Sequence, residues 1–198
     1  MIENSAFIIL AAYLLGSISF GILMSRAFGL PDPRTVGSGN PGATNVLRSG
    51  KKAAAALTLL GDALKGWLAV WLAMHYDLLM WQVCAVALAV FIGHLYPIYY
   101  GFKGGKGVAT ALGVMLAVSL WLGLAALLTW LLVAVIFRYS SLAAILAAAL
   151  APIYAFFLLR GYQDYVLMVL VMSVLLIWRH RYNIKKLLDG SEDGFGKK

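Results

Sequence analysis

Charge is scarce in this chain. Only 12% of its 198 residues are Asp, Glu, Lys or Arg, and 63% are apolar, against roughly 25% and 45–50% in soluble domains. Mean hydropathy is +0.88. That balance excludes a disordered chain, a nucleic-acid module and an ordinary soluble enzyme. Cysteine is almost absent: Cys84 alone can form neither an intrachain disulfide nor a cysteine-based metal cluster. Histidine is also sparse, and no HExxH or Cys/His set at zinc spacing occurs, so no metal is expected. Acids are outnumbered, 8 against 16 bases, for a net charge of +8. In a chain this apolar the excess speaks of membrane topology and anionic partners rather than nucleic acid.

What is present is long apolar sequence. Seven stretches stand out, at about 5–26, 53–74, 80–100, 107–119, 121–137, 141–159 and 163–179, the fourth short and bounded by glycine. At about 20 residues per crossing, seven crossings use up most of the chain. One membrane domain, 1–198, is expected, with cytoplasmic-face loops 27–52 and 101–107 and a tail 180–198. Helices are required, because an unpaired backbone in lipid costs several kcal/mol per group. Runs such as AALLTWLLVAVIF are apolar on every side and lack the alternation of barrel strands. The start, MIENSAF, carries Glu3 and no basic cluster, so the first helix is expected to be retained.

The bases orient the bundle. With the N-terminus periplasmic and the C-terminus cytoplasmic, the inner segments hold Arg26, Arg34, Arg48, Lys51, Lys52, Lys103, Lys106, Arg138, Arg179, Arg181, Lys185, Lys186, Lys197 and Lys198. The outer segments hold Arg160 alone, and Lys65 lies within a helix. This is a strong positive-inside bias.

Three inner segments concentrate glycine and cations: PRTVGSGNPGATNVLRSGKK (33–52), YGFKGGKGVAT (100–110) and RHRYNIKKLLDG (179–190). Glycines at 37, 39, 42, 104, 105 and 107 allow positive φ and close approach of backbone to a ligand. Consecutive N–H groups in such turns form anion nests, and a following helical turn favours phosphate. Ser38, Asn40, Thr44 and Asn45 add neutral hydrogen bonds. Arg48, Lys106, Arg179 and Arg181 add charge, with bidentate capacity at arginine. Surface loops lying on anionic headgroups are the plainer reading of each segment singly. Three of them on one face favour a shared phosphate site.

Two motif matches are false. Gly37 to Gly42 fits GxGxxG with Asp62 beyond it, yet no strand precedes it and Asp62 sits inside an apolar helix. GFKGGKG lacks Ser or Thr after its lysine, which argues against nucleotide hydrolysis.

Among reactive side chains, His180 at the inner end of the last span shares a helix face with Asn183, and both can orient a hydroxyl or phosphate. An interfacial histidine among bases is the alternative. His94, in GHLYP, suits a bond to backbone or a neighbouring helix better than a role as base. Asp62 and Lys65 lie deep: nine residues at about 1.5 Å each put Asp62 about 14 Å along its helix. Their i, i+3 spacing predicts a structural pair that positions the first loop. Ser140 and Ser141 are candidate N-caps, and Ser141 is equally a candidate ligand contact. Cys84 reads as packing. Phosphate holders are many and no nucleophile or base is clear. A reaction run here would rest on positioning and anion binding.

The segments VGSGNPGATN (36–45), GFKGGKGVAT (101–110) and RHRYNIKKLL (179–188), with GDALKG (61–66) and GHLYP (93–97), closely resemble the signature segments of one bacterial family. It is the acyl-phosphate-dependent glycerol-3-phosphate acyltransferases of the PlsY type. The resemblance covers nearly the whole chain in order. It implies a seven-helix enzyme of the bacterial inner membrane, with its active site facing the cytoplasm. Its reaction would move a fatty acyl group from acyl phosphate to the 1-hydroxyl of glycerol 3-phosphate, the first acylation of phospholipid synthesis. The HxxxxD motif of other glycerolipid acyltransferases is absent.

Carried over by motif, the resemblance implies that Ser38, Gly39, Asn40 and Thr44 cradle the donor phosphate, with the turn of Gly104, Gly105 and Gly107 closing the site. It assigns Arg48, Lys106, Ser141, His180 and Asn183 to glycerol 3-phosphate. The family's donor phosphate is thought to take the proton of the attacking hydroxyl, so no side-chain base is assigned. Lys186 stands where arginine is common, which removes a bidentate contact there. The partners implied are the two substrates and the bilayer; no cofactor and no obligate protein partner is expected. The rival is a small-anion transporter or channel, supported by the basic loops and the buried Asp62–Lys65 pair. Against it, the bases crowd one face and no clear inverted repeat is present.

Overall fold

The computed structural model describes residues 2–195, with side chains from residue 6 onward; Met1 and the tail end carrying Lys197 and Lys198 lie outside the described residues. Every regular element described is helical. The chain divides into two compact units, Met1–Ala117 and Val118–Lys198.

The first unit contains α1 (Ile2–Gly16), α2 (Phe20–Ala27), α3 (Ala43–Arg48), α4 (Lys52–His75), α5 (Met80–Leu95) and the start of α6 (Val108–Val118). The first apolar stretch is not one straight helix. Ala6–Gly16 and Phe20–Ala27 meet at 42°. The Ser17 hydroxyl donates to the Tyr13 carbonyl, and Ser19 caps α2 by accepting from the Ile22 N–H. Small residues let helices approach closely. A side chain on Gly16 would overlap the Val90 backbone, one on Gly93 the Tyr13 carbonyl, and one on Gly113 the Ala63 carbonyl. Thus α1 sits on α5, and α6 on α4. Beneath α3, Val46, Ala54 and Ala55 form a small core with Met24 and Leu30.

The second unit contains α7 (Leu120–Phe137), α8 (Ser140–Leu158), α9 (Gln163–Arg179) and α10 (Arg181–Leu188). Ser119 caps α7 at the Leu122 N–H. Arg138 ends it in the left-handed region at φ 61°. The Thr129 and Tyr154 hydroxyls pair at 2.8 Å between α7 and α8. α9 and α10 meet at 56° around His180.

Among the described residues, four helices are long and apolar enough to cross a membrane, or up to six if each bent pair is one span. The fourth sequence stretch is an 11-residue helix, α6, which rises about 16 Å, roughly half a hydrocarbon core. Val135, Ile136, Leu132 and Trp121 on α7 are exposed. That is the surface a lipid-facing helix presents.

Candidate functional site

In the first unit the 33–42 loop is shaped by a side chain lying outside it. Asn45, on α3, is buried. Its amide nitrogen donates to the Pro33 carbonyl at 2.7 Å and the Val36 carbonyl at 3.0 Å. Its carbonyl oxygen accepts the Ser38 N–H at 3.0 Å. Gly37 and Gly39 turn the backbone at φ 57° and 69°, where L side chains are strained. A Cβ on Gly37 would also strike the Asn45 carbonyl oxygen. The result leaves Ser38 and Gly39 exposed, with Asn40 and Thr44 half-buried.

An ion pair braces the loop's entry. Arg34 reaches Asp32 at 2.6 Å and holds its carboxyl below the usual carboxylate range. The same guanidinium lies 5.6 Å from the Tyr100 ring centroid, a cation–π distance. Tyr100 opens the second glycine segment, so the first two loops are joined within this unit. A cleft of about 340 Å³ is lined by Leu30, Pro31, Val36, Gly37, Asn45, Arg48 and Ser49.

The second loop folds back on the end of α5. The Gly105 N–H donates to the His94 carbonyl at 3.1 Å. Gly105 and Gly107 are buried and Lys106 is half-buried between them. Gly107 has φ 90°, and a Cβ there would strike the Phe91 ring. Asp62 and Lys65 pair at 2.8 Å, both buried. Lys65 also donates to the Ile18 carbonyl at the α1–α2 break. His94 Nδ1 lies 3.5 Å from the same Asp62 oxygen. The pair therefore contacts the α1–α2 break and, on α5, the histidine whose carbonyl accepts from Gly105.

The second unit carries Ser141, His180 and Asn183. Tyr139 is the N-cap of α8, so neither Ser140 nor Ser141 fills the capping place the sequence allowed. Ser141 is buried, and its Oγ has no hydrogen-bond partner among the described residues. His180 is buried with Nδ1 at 2.8 Å from the Leu176 carbonyl. A carbonyl only accepts, so Nδ1 carries the proton and Nε2 is the acceptor in the neutral ring. Asn183 donates to Glu192 Oε1 at 2.8 Å.

No local sequence pattern marks Glu192. It belongs to a tail that folds back from α10: the Phe195 N–H donates to the Arg138 carbonyl at 2.7 Å, and its ring meets Trp130 edge-on. The tail thus ties the helix bearing Asn183 to the turn before Ser141. By its sequence alone Asn45 is one more polar donor in the loop. Its three bonds make it the loop's organiser.

Residues 6–190 match the family model described as glycerol-3-phosphate acyltransferase. A glycerol-3-phosphate acyltransferase of Methylobacillus flagellatus is 70% identical over 195 residues, covering 98% of this chain and 99% of the relative. One from Burkholderia ambifaria is 62% identical, covering 96% and 90%. Two crystal structures of PlsY, an integral membrane glycerol 3-phosphate acyltransferase, are similar in fold. Its glycerol 3-phosphate form gives a TM-score of 0.91 at 43% identity, and its lysophosphatidic acid form 0.90 at 42%; each covers 98% of this chain and 96% of the other.

Proposed function

Because this chain belongs to the glycerol-3-phosphate acyltransferase family, as an integral membrane enzyme of the PlsY type, we propose that its donor is an acyl phosphate. The acceptor is the 1-hydroxyl of glycerol 3-phosphate. The hydroxyl oxygen attacks the acyl carbonyl carbon, the bond from that carbon to the phosphate oxygen breaks, and the departing phosphate takes the hydroxyl proton. Lysophosphatidate and inorganic phosphate result, and the balance needs no side-chain base. Two forms of the solved PlsY, with glycerol 3-phosphate and with lysophosphatidic acid, support this substrate and this product.

In this reading Ser38, Gly39, Asn40 and Thr44 hold the donor phosphate, with Gly104, Gly105 and Gly107. Arg48 and Lys106, and in the second unit Ser141, His180 and Asn183, serve glycerol 3-phosphate. The observation that carries it is the 33–42 loop wrapped on Asn45, which fixes the course of the loop backbone in advance of binding. Preorganised donors of this kind stabilise developing charge without reorganisation, and an acyl phosphate is already activated, so holding it beside the acceptor lowers the barrier. Asp62 and Lys65 act structurally. The chain crosses the bacterial inner membrane seven times when the short α6 is counted as one crossing, N-terminus outside, with these loops at the cytoplasmic face; the bias of its bases supports that orientation.

Liposomes containing the purified protein test the enzyme against the transporter. With labelled glycerol 3-phosphate and acyl phosphate outside, the label is expected in newly made lysophosphatidate. Label accumulating inside as unchanged glycerol 3-phosphate overturns the reading.

A further inference from the structure

The reaction proposed above gives no chemical step to the buried carboxylate, lysine and histidine of the first unit: Asp62, Lys65 and His94. Burying an ion pair is costly and is weak evidence for stability alone. Here the pair joins three elements. Lys65 on α4 binds Asp62 and the Ile18 carbonyl between α1 and α2, and Asp62 faces His94 Nδ1 on α5.

The other edge of the His94 ring is occupied too. A Cβ on Gly105 would overlap Nε2, with Cε1 next nearest. The Gly105 N–H already bonds the His94 carbonyl, and a Cβ on Gly104 would strike that carbonyl and Pro97. The second loop is thus folded against both the backbone and the ring of one histidine. A long flexible side chain could yield to an added methyl. This ring is buried and faces a buried carboxylate, so it has little room to yield.

We propose that His94, held by the Asp62–Lys65 pair, is a positioning residue that sets the backbone of Gly104–Gly105 and thereby the placement of Lys106. This rests on the reading that the turn forms part of the phosphate site. Substrate geometry then depends on a buried ionic cluster that touches neither substrate.

A double-mutant cycle of His94→Asn and Gly105→Ala, in the full-length enzyme in lipid nanodiscs, tests it, with thermal unfolding followed in parallel. Asparagine keeps an N–H near the Nδ1 position for Asp62 and deletes the ring edge that fills the space beside Gly105. Gly105→Ala alone is expected to lower kcat/KM for glycerol 3-phosphate by about 30-fold or more, and by no more than about threefold in the His94→Asn background, a coupling of at least about tenfold. Equal costs in both backgrounds, at similar unfolding midpoints, overturn the positioning role and leave the turn in the site. A Gly105→Ala enzyme within about twofold of wild type instead contradicts the turn's place in the site. Should Gly105→Ala be recovered folded only together with His94→Asn, the coupling is expressed in folding, as expected. Misfolding in both backgrounds overturns it. If His94→Asn itself does not fold, Asp62→Asn, which loosens the ring, must lessen the cost of Gly105→Ala; no lessening overturns the proposal.

Discussion

The carbonyl oxygen of the Asn45 side chain accepts the backbone N–H of Ser38, seven residues earlier, at 3.0 Å. While that oxygen accepts, the nitrogen of the same amide donates to Pro33 and Val36. Aspartate is nearly isosteric but can only accept when ionised, so it would set a carboxylate against two carbonyls. Asn45→Asp is therefore expected to be at least as damaging as Asn45→Ala. Losing this set should cost about 1–3 kcal/mol of loop stability and about 10²-fold in kcat/KM through misplaced donors. Steady-state kinetics of the two variants check this, and an Asn45→Asp enzyme with wild-type rates would contradict it.

Arg48 and Lys106 are the two cations of the first two segments proposed to serve glycerol 3-phosphate. Removing either is expected to lower lysophosphatidate formation by about 10²-fold or more, as loss of charge stabilisation does in preorganised sites. Conservative Arg48→Lys should recover part of the rate and not all, because lysine lacks the planar fork. Rates within about twofold of wild type for both alanine variants would remove these residues from the site.

The Glu192 carboxylate holds Asn183 by one hydrogen bond. Glu192→Gln can keep an acceptor oxygen there, whereas Glu192→Ala cannot. The glutamine enzyme should stay within about threefold of wild-type kcat/KM and the alanine enzyme fall by about tenfold or more, the span of one charge-assisted bond. Equal kinetics for the two variants would show that this bond does not orient Asn183.

Acid should loosen the first loop through Asp32. Its carboxyl titrates below the ordinary 3.8 because Arg34 binds the charged form. A carboxylate with a lowered folded pKa stabilises the native state above its unfolded pKa, and that contribution is lost as pH falls through the folded value. Wild type should therefore unfold at a higher temperature than Asp32→Asn near neutral pH, by at most about 2–3 °C for a partly exposed pair. The gap should close as pH falls through the lowered Asp32 value. A gap that persists or widens in acid contradicts the assignment.

Much of this architecture can be read from hydropathy, because burial of apolar helices dominates a chain of this composition. Each apolar stretch corresponds to helix, and the i, i+3 spacing of Asp62 and Lys65 does form an ion pair. Hydropathy could not show the break at Ser17–Ser19. Ser19 satisfies the freed Ile22 N–H and Lys65 the Ile18 carbonyl, so the bend leaves no gap in the apolar run. Composition marks the glycine loops as candidates for anion binding, yet nothing local distinguishes Asn45 from Asn40. The difference lies in contacts spanning 7 to 12 residues, made only once the loop has closed. Glu192 was illegible for the same reason: its partner, Asn183, lies a helical segment away. The reach of Asp62 to His94, from α4 to α5, likewise needs the two helices packed.

The identity of the donor tests the account most directly. Purified protein would be given labelled glycerol 3-phosphate with either acyl phosphate or acyl-CoA of the same chain length. Lysophosphatidate should form from acyl phosphate, with inorganic phosphate released in equal amount, and not from the thioester. Comparable product from acyl-CoA, or product without matching phosphate release, would contradict it.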